Sequence, residues 1–294
     1  LSLVVFGLFL IIPVGRMMVY SFQNIDGLTF SFDNFIKFFS RPYYTSALKN
    51  SVWIVLCATI LVIIIGVPLA YITTTFQIRA RRLVDIFIII SMLSPPFLGA
   101  YSWILMLGRN GVVTNFLEKL LGFDMPSIYG PGGILLVFVL KLYPYIYMYT
   151  KGALKKVDAS LGEAAESLGY HGIRKVLRVS LPLVLPTILA GGTIVFLRAF
   201  ADYGTPRLIG EGYATLPVII YQEWVSETGN NAYFASAVAM IMILIATVVF
   251  LVQKWISGRK NYTMSMLNPP KPKKLKGIAN ILAHGYVYLV VFLA

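Results

Sequence analysis

Apolar residues in this chain come in long runs, separated by short polar and basic loops. A helix needs about 20 consecutive apolar residues to cross the hydrocarbon of a bilayer. Runs of that order lie at Leu1 to Phe22, Ser51 to Ile72, Val84 to Leu107, Gly133 to Thr150, Val179 to Phe200 and Phe234 to Ile256, and a seventh opens near Ile281. The pattern predicts an all-α polytopic membrane helical bundle with six spans and a truncated seventh. Composition agrees: 58% of residues are hydrophobic and 13% charged. With a mean hydropathy of +0.77, the chain falls outside the range of a soluble domain.

Lys and Arg collect in loops kept on the cytoplasmic side, and here they collect in alternate loops. One set holds Arg79, Arg81 and Arg82, then Lys151, Lys155, Lys156, Arg174, Lys175 and Arg178, then the cations from Lys254 to Lys276. The other loops hold Lys37, Arg41 and Lys49, then Arg109 and Lys119, then Arg207. The richer set, with the N-terminus, is therefore expected in the cytoplasm. The net charge of +13 follows from this topology, because the charges sit beside spans, where anionic lipid attracts them. No basic face on a soluble domain is on offer to nucleic acid.

The loop that holds Lys151 to Arg178 carries the start of the most specific pattern, EAAESLGYHGIRKVLRVSLPLVLP from Glu163 to Pro186. Ser160 followed by Glu163 reads as a capping box, Leu161, Ala164, Ala165 and Leu168 form a short apolar face, and Gly169 is suited to a left-handed helix end. A helix of about two turns on the membrane surface follows, with small side chains where another protein approaches. The layout resembles the cytoplasmic loop of permease subunits of binding-protein-dependent ABC importers, with Val179 where that family usually has Ile. The resemblance implies that the short helix docks on an ATPase, with Glu163 and Gly169 coupling and Ala164, Ala165 and Leu168 in contact. It implies as partners a cytoplasmic ABC ATPase dimer, a periplasmic or extracellular substrate-binding protein and a second permease half in the same chain or a second subunit, with this chain in a bacterial inner membrane.

The stretch Phe200-Ala-Asp-Tyr-Gly-Thr-Pro-Arg-Leu-Ile-Gly210 resembles the A-D-F-G segment of the ferric-iron type of these permeases, with Tyr203 in place of Phe. Some members of that subgroup, and relatives assigned to phosphorylated or phosphonate substrates, fuse two permease halves in one chain. On that footing residues 1–256 are one permease domain with its coupling loop at 151–178, residues 257–280 a basic linker with Pro269, Pro270 and Pro272, and residues 281–294 the start of a second half. The first residue is Leu, and the last apolar segment is shorter than a span, so both ends read as trimmed. A signal peptide does not explain the first run, which contains Arg16 and lacks a small-residue cleavage site after it.

Prolines within the runs (Pro68, the pair Pro95 and Pro96, Pro144, Pro182 and Pro186) each remove a backbone donor and bend or break a helix. Pro95 and Pro96 are candidates for a gate, with static kinks as the other reading. Gly191 and Gly192 suit close helix packing. Lys141 lies within the fourth run, where a charge costs about 2.5 to 3.5 kcal/mol at the helix centre. With Tyr143, Tyr145, Tyr147 and Tyr149 it forms either a polar strip along a translocation path or an aromatic belt with a snorkelling lysine. Asp202, Glu211, Glu223 and Glu227 offer hard oxygen ligands to a cation, while Arg198 and Arg207 attract an anion. The other reading is that this loop docks the binding protein and closes an outer gate.

No phosphate-binding loop of the G-x-x-x-x-G-K-S/T kind is present, so ATP is expected on another subunit, with no cofactor and no metal site on this one. His171, His284 and the lone Cys57 lack metal-ligand spacing, and no Ser, His and Asp set is placed for catalysis. Two rival classes remain. An ion-gradient-driven transporter would use Lys141 as its coupling charge, and would show internal repeats that are absent by eye. A lipid-acting membrane enzyme would need a polar cluster, for which Asp202 and Glu211 have no evident partner base.

Overall fold

The computed structural model describes residues 5, 7–24, 29–93, 95–123, 126–225, 231–258 and 272–293. Helices account for nearly all of them: α1 (Ile12–Ser21), α2 (Asp33–Ser40), α3 (Pro42–Thr75), α4 (Arg81–Met92), α5 (Pro96–Leu107), α6 (Val112–Leu121), α7 (Pro131–Leu154), α8 (Ala159–Ser167), α9 (Gly172–Lys175), α10 (Leu181–Phe200), α11 (Gly204–Ile209), α12 (Leu216–Val225), α13 (Ala232–Gly258) and α14 (Ile278–Leu293). Single turns of π-helix at Gly7–Ile11 and Val176–Ser180 lead into α1 and α10. The all-α expectation therefore holds.

Among the described residues, four helices are long and apolar enough to cross a membrane: α3, α7, the run Gly172–Phe200, and α13. A fifth span results if the bent pair Arg81–Met92 and Phe97–Leu121 is taken together. Six complete spans are thus not displayed by the described residues. The expected first span is represented by an apolar helix at Gly7–Ser21, and the expected seventh by Ile278–Leu293, both under 18 residues. The expected third is interrupted where Pro95 and Pro96 supply no backbone donors; α4 ends at Met92 and α5 starts at Pro96. Pro68, Pro144 and Pro186, by contrast, lie inside continuous helices. At 34 residues, α3 is about 50 Å long, so it reaches well beyond a hydrocarbon layer of about 30 Å.

The chain divides into two compact units. The first comprises residues 1–55, 104–134 and 200–249. Its core stacks Phe38 on Tyr44 and sets Tyr44 against Phe234, with centroids 6.0 Å and 4.7 Å apart. Several polar groups there are paired, as burial favours: Leu216 N donates to Ser51 Oγ (2.8 Å), Asn50 Nδ2 to the Ala214 carbonyl (3.2 Å) and Gly130 N to the Ile209 carbonyl (2.8 Å). Gly133 is required in this turn, because a Cβ would fall 1.6 Å from the Ile128 carbonyl oxygen.

The second unit comprises residues 56–103, 135–199 and 250–294. Small residues let its helices approach, as expected for Gly191 and Gly192. A Cβ on Gly191 would stand 3.2 Å from Ile146 Cδ1, and one on Gly192 3.3 Å from Ile63 Cδ1. Gly66 is tighter, at 2.8 Å from Ile146 Cγ2. Helix α14 is held to the same unit by Tyr286 Oη, which donates to the Ile65 carbonyl (2.8 Å), and by Tyr288 Oη, which donates to that of Arg79 (2.8 Å). His284 accepts from Arg79 N at Nε2 (3.1 Å) while its Nδ1 faces the Asn280 carbonyl (2.8 Å). This histidine is therefore a structural one, with Nδ1 carrying the proton.

Candidate functional site: the Glu163 helix and the elements that hold it

The short helix expected around Glu163 is α8, nine residues long. Its N-cap is Asp158, whose side chain accepts from Ser160 N at 2.9 Å. This corrects the Ser160 capping box: the helix starts one residue before Ser160, and the carboxylate of Asp158 takes the orphan amide. The far end closes as the sequence indicates. Gly169 has φ +82°, Gly169 N donates to the Glu166 carbonyl (3.0 Å) and Tyr170 N to that of Ala165 (2.9 Å). That pair of bonds is a Schellman motif, which needs a residue free to adopt the left-handed conformation. Tyr170 in turn lies beneath the Arg178 guanidinium, 5.5 Å from the ring centroid.

The helix presents a mixed face. Glu163, Ala164 and Leu161 are exposed, and Leu168 is 77% exposed. Ala165, expected in the contact surface, is turned inward at 5% exposure; within this chain it is a packing residue. Three apolar or small side chains are thus left on the outer edge of a helix in a polar loop.

Glu166, which the sequence reading passed over, fastens the helix. Its Oε1 accepts from Lys175 Nζ at 2.8 Å and from Lys273 Nζ at 2.9 Å. Lys175 first, and Lys273 after it, hold the Glu166 carboxyl down at about 2, because both stabilise the charged form. Lys273 also pairs through its backbone: its N donates to the Thr75 carbonyl (2.8 Å) and its carbonyl accepts from Gln77 N (3.0 Å). The segment at Pro272 and Lys273 therefore forms a strap between the end of α3 and α8. Under it lies a cavity of about 560 Å³, lined among others by Tyr71, Asp158, Glu163 and Lys175. Arg259, Lys260, Pro269, Pro270 and Lys271 of the expected linker lie outside the described residues.

A second polar cluster ties α3, α4 and α7 together. Lys151, 5% exposed, forms an ion pair with Asp85 and donates to Tyr147 Oη (2.8 Å). Tyr147 donates to Asp85 Oδ1 (2.5 Å), and Thr73 Oγ1 lies 3.2 Å from Tyr147 Oη while donating to the Leu69 carbonyl (2.8 Å). Asp85 was missed in the sequence, where Lys151 counted only as a loop cation. The available signal was a lone carboxylate at the start of an apolar run.

The residues expected along a path are only partly brought together. Pro95 and Lys141 line one cavity of about 40 Å³ with Ser91 and Trp103; the side chain of Pro96 lies outside the described residues. The tyrosines divide by face: Tyr143 and Tyr147 are fully buried, whereas Tyr145 is half-buried and carries the Arg198 guanidinium 4.5 Å from its centroid. Tyr143 is thus packed inside the unit, two residues along α7 from Lys141. Asp202 belongs to the other unit and accepts from Thr205 N (2.8 Å) at the start of α11.

The proposed cation ligands are occupied elsewhere. Glu211 meets Arg109 at 2.5 Å and Glu223 accepts from Tyr44 Oη at 2.8 Å, while Glu227 lies outside the described residues. Among the described residues, no group of three or more His, Cys, Asp or Glu is placed to hold a metal ion.

Comparison with known proteins gives a consistent picture. The chain is 27% identical over 285 residues to the ferric transport system permease protein FbpB of Actinobacillus pleuropneumoniae, covering 96% of this chain and 40% of that protein. It is 25% identical over 255 residues to the putative 2-aminoethylphosphonate transport system permease protein PhnU of Salmonella typhimurium, covering 84% and 87%. The chain thus spans about two-fifths of the length of the ferric relative. A chain of the crystal structure of a bacterial alginate ABC transporter, in complex with an alginate pentasaccharide-bound periplasmic protein, superposes with a TM-score of 0.71 at 19% identity, over 88% of this chain and 91% of that one; at that identity the likeness concerns the fold. Residues 62–262, which contain α8, its Schellman end and the Asp85–Lys151 cluster, match the model of binding-protein-dependent transport system inner membrane components, and the chain belongs to that family.

Proposed function

We propose that this chain is one permease half of an ATP-driven, binding-protein-dependent importer, and that α8 is where a partner ATPase docks. The observation that carries the reading is the outer edge of α8, where Leu161, Ala164 and Leu168 stand exposed on a helix closed by a left-handed Gly169. Apolar side chains left in water are higher in free energy than the same side chains in contact with a partner. Glu163 and Gly169 are the coupling residues in this reading, with Leu168 and Ala164 in contact. Closure of two ATPases would draw α8 as a rigid lever and switch the path between the two permease halves.

The alternation of basic loops supports a multi-pass arrangement in a bacterial inner membrane with the N-terminus and the α8 loop in the cytoplasm. The 40% coverage of the ferric relative supports residues 1–256 as one half, 257–280 as linker and 281–294 as the opening of a second half in the same chain. Pro95, Pro96, Lys141 and Tyr143 are the candidates for the path and gate in this reading, and Asp202 of the other unit is a separate candidate. Family membership favours this class over the ion-gradient-driven one. Ferric iron is the preferred cargo, on the likeness to the ferric relative and on the Ala201-Asp202-Tyr203-Gly204 segment. A phosphonate is the second reading, on a relative matched over 87% of its length.

The test is uptake by proteoliposomes holding the full-length permease, its ATPase and its binding protein, with ferric iron or 2-aminoethylphosphonate supplied, with and without ATP. ATP-dependent iron accumulation is the expected result. Accumulation of the phosphonate alone overturns the cargo, and accumulation independent of ATP overturns the importer.

A further inference from the structure

Lys151 is a buried cation whose charge is met by Asp85, and the pair sits where α7 is about to leave the bundle. Three residues after Lys151 α7 ends at Leu154, and α8 begins at Ala159. A displacement of α8 is therefore passed to the bundle in part through the last turn of α7, beside the routes through α9 and through the Lys273 strap. At that turn Lys151 and Tyr147, one helical turn apart, both engage Asp85 of α4, and Tyr147 lies against Thr73 of α3.

The chemistry of the cluster makes it a stiff joint. Tyr147 Oη donates to Asp85 Oδ1 and accepts from Lys151 Nζ, so its hydroxyl is used in both directions. Separating this pair leaves the buried Lys151 charge uncompensated, which is costlier than separating apolar side chains. Helices α4 and α7 are thus more easily moved together than apart at this level. The ion pairs of Glu166 that join α8 to the rest have similarly exposed carboxylates, 36% against 30% for Asp85, but their lysines are 20% and 64% exposed against 6% for Lys151, and the more exposed contacts yield more readily.

We propose that Asp85 and Lys151, with Tyr147 between them, are positioning residues that pass the displacement of α8 into α3 and α4, so that movement of the docking helix becomes movement of the spans. The inference rests on the importer reading given above. The cluster does not touch cargo; it decides whether force applied at α8 is delivered or lost.

The experiment measures cargo accumulated per ATP hydrolysed, in proteoliposomes with the full-length permease, ATPase and binding protein. Asp85→Asn keeps the shape and removes the charge. ATP hydrolysis is expected to continue while accumulation per ATP falls about tenfold, the scale of an intersite coupling loss. The swap of Asp85→Lys with Lys151→Asp is expected to recover most of that ratio, which a loss of packing would not. Should Asp85→Asn fail to assemble, the ratio is read on Asp85→Glu, which keeps the charge but displaces it by one methylene, and a fall is again expected. An unchanged ratio in whichever variant assembles, with wild type coupled to ATP, overturns this proposal alone. A wild type that accumulates cargo without ATP overturns the importer reading and this proposal with it.

Discussion

Lys273 Nζ stands 2.9 Å from Glu166 Oε1 across 107 residues of sequence. The carboxylate it meets is also bound by Lys175, nine residues away, so one side chain of α8 clasps both its own loop and the strap that precedes α14. The clasp fixes the C-terminal half of α8 while Leu161, Ala164 and Leu168 remain outside.

The pH response of the clasp has a definite sign. Lys175 and Lys273 lower the Glu166 carboxyl from 4.5 to about 2, so the clasp is at full strength above pH 4.5 and is lost as pH falls from there through about 2. Carbon-13 titration of the carboxyl in detergent should give a midpoint near 2 in the wild type. Lys175→Ala should raise the midpoint more than Lys273→Ala does, since Lys175 is the larger cause. Equal midpoints in all three proteins would contradict the geometry.

Gly169 tests whether the end of α8 must be left-handed. A Cβ there meets nothing within 4 Å, and φ is +82°, so the effect of a substitution comes from backbone strain. An ordinary side chain costs about 1–2 kcal/mol in that conformation, whereas Asn is tolerated at helix ends of this kind. Gly169→Val should therefore lower uptake per ATP about tenfold and Gly169→Asn by no more than about twofold, in the assay described above. Wild-type uptake by the valine variant would argue that the motif does not couple.

The displaced cap has its own consequence. Asp158→Ala should cost about 1 kcal/mol and Ser160→Ala much less. Hydrogen exchange of the first α8 amides reads this directly, with protection falling about fivefold in the first variant. The reverse ranking would restore Ser160 as the cap.

Close packing at Gly66 gives a stability prediction. Gly66→Ala would place a Cβ 2.8 Å from Ile146 Cγ2 and 3.2 Å from the Tyr143 carbonyl oxygen. The neighbours include backbone, so about 1–3 kcal/mol of destabilisation is expected. Gly152→Ala, with nothing within 4 Å, should be neutral or gain up to about 1 kcal/mol from helix propensity. Thermal unfolding of the purified protein in detergent separates the two.

The sequence by itself determined the helical class, four of the expected spans, the existence of α8 and the left-handed residue that ends it. Each of these is written within a few residues of itself: hydrophobicity over one span, or a glycine at one position. The pairing of tyrosines by face was local too, since residues four apart share a side of a helix. Only the tertiary structure decided that Tyr143 and Tyr147 face inward, that Lys151 meets Asp85, and that Lys273 returns to Glu166. Partners 66 and 107 residues apart are chosen by how the helices pack and by the need to satisfy buried charge, and no local pattern carries that information. The same packing assigned Glu211 to Arg109 and Glu223 to Tyr44, which turned expected ligands into structural contacts.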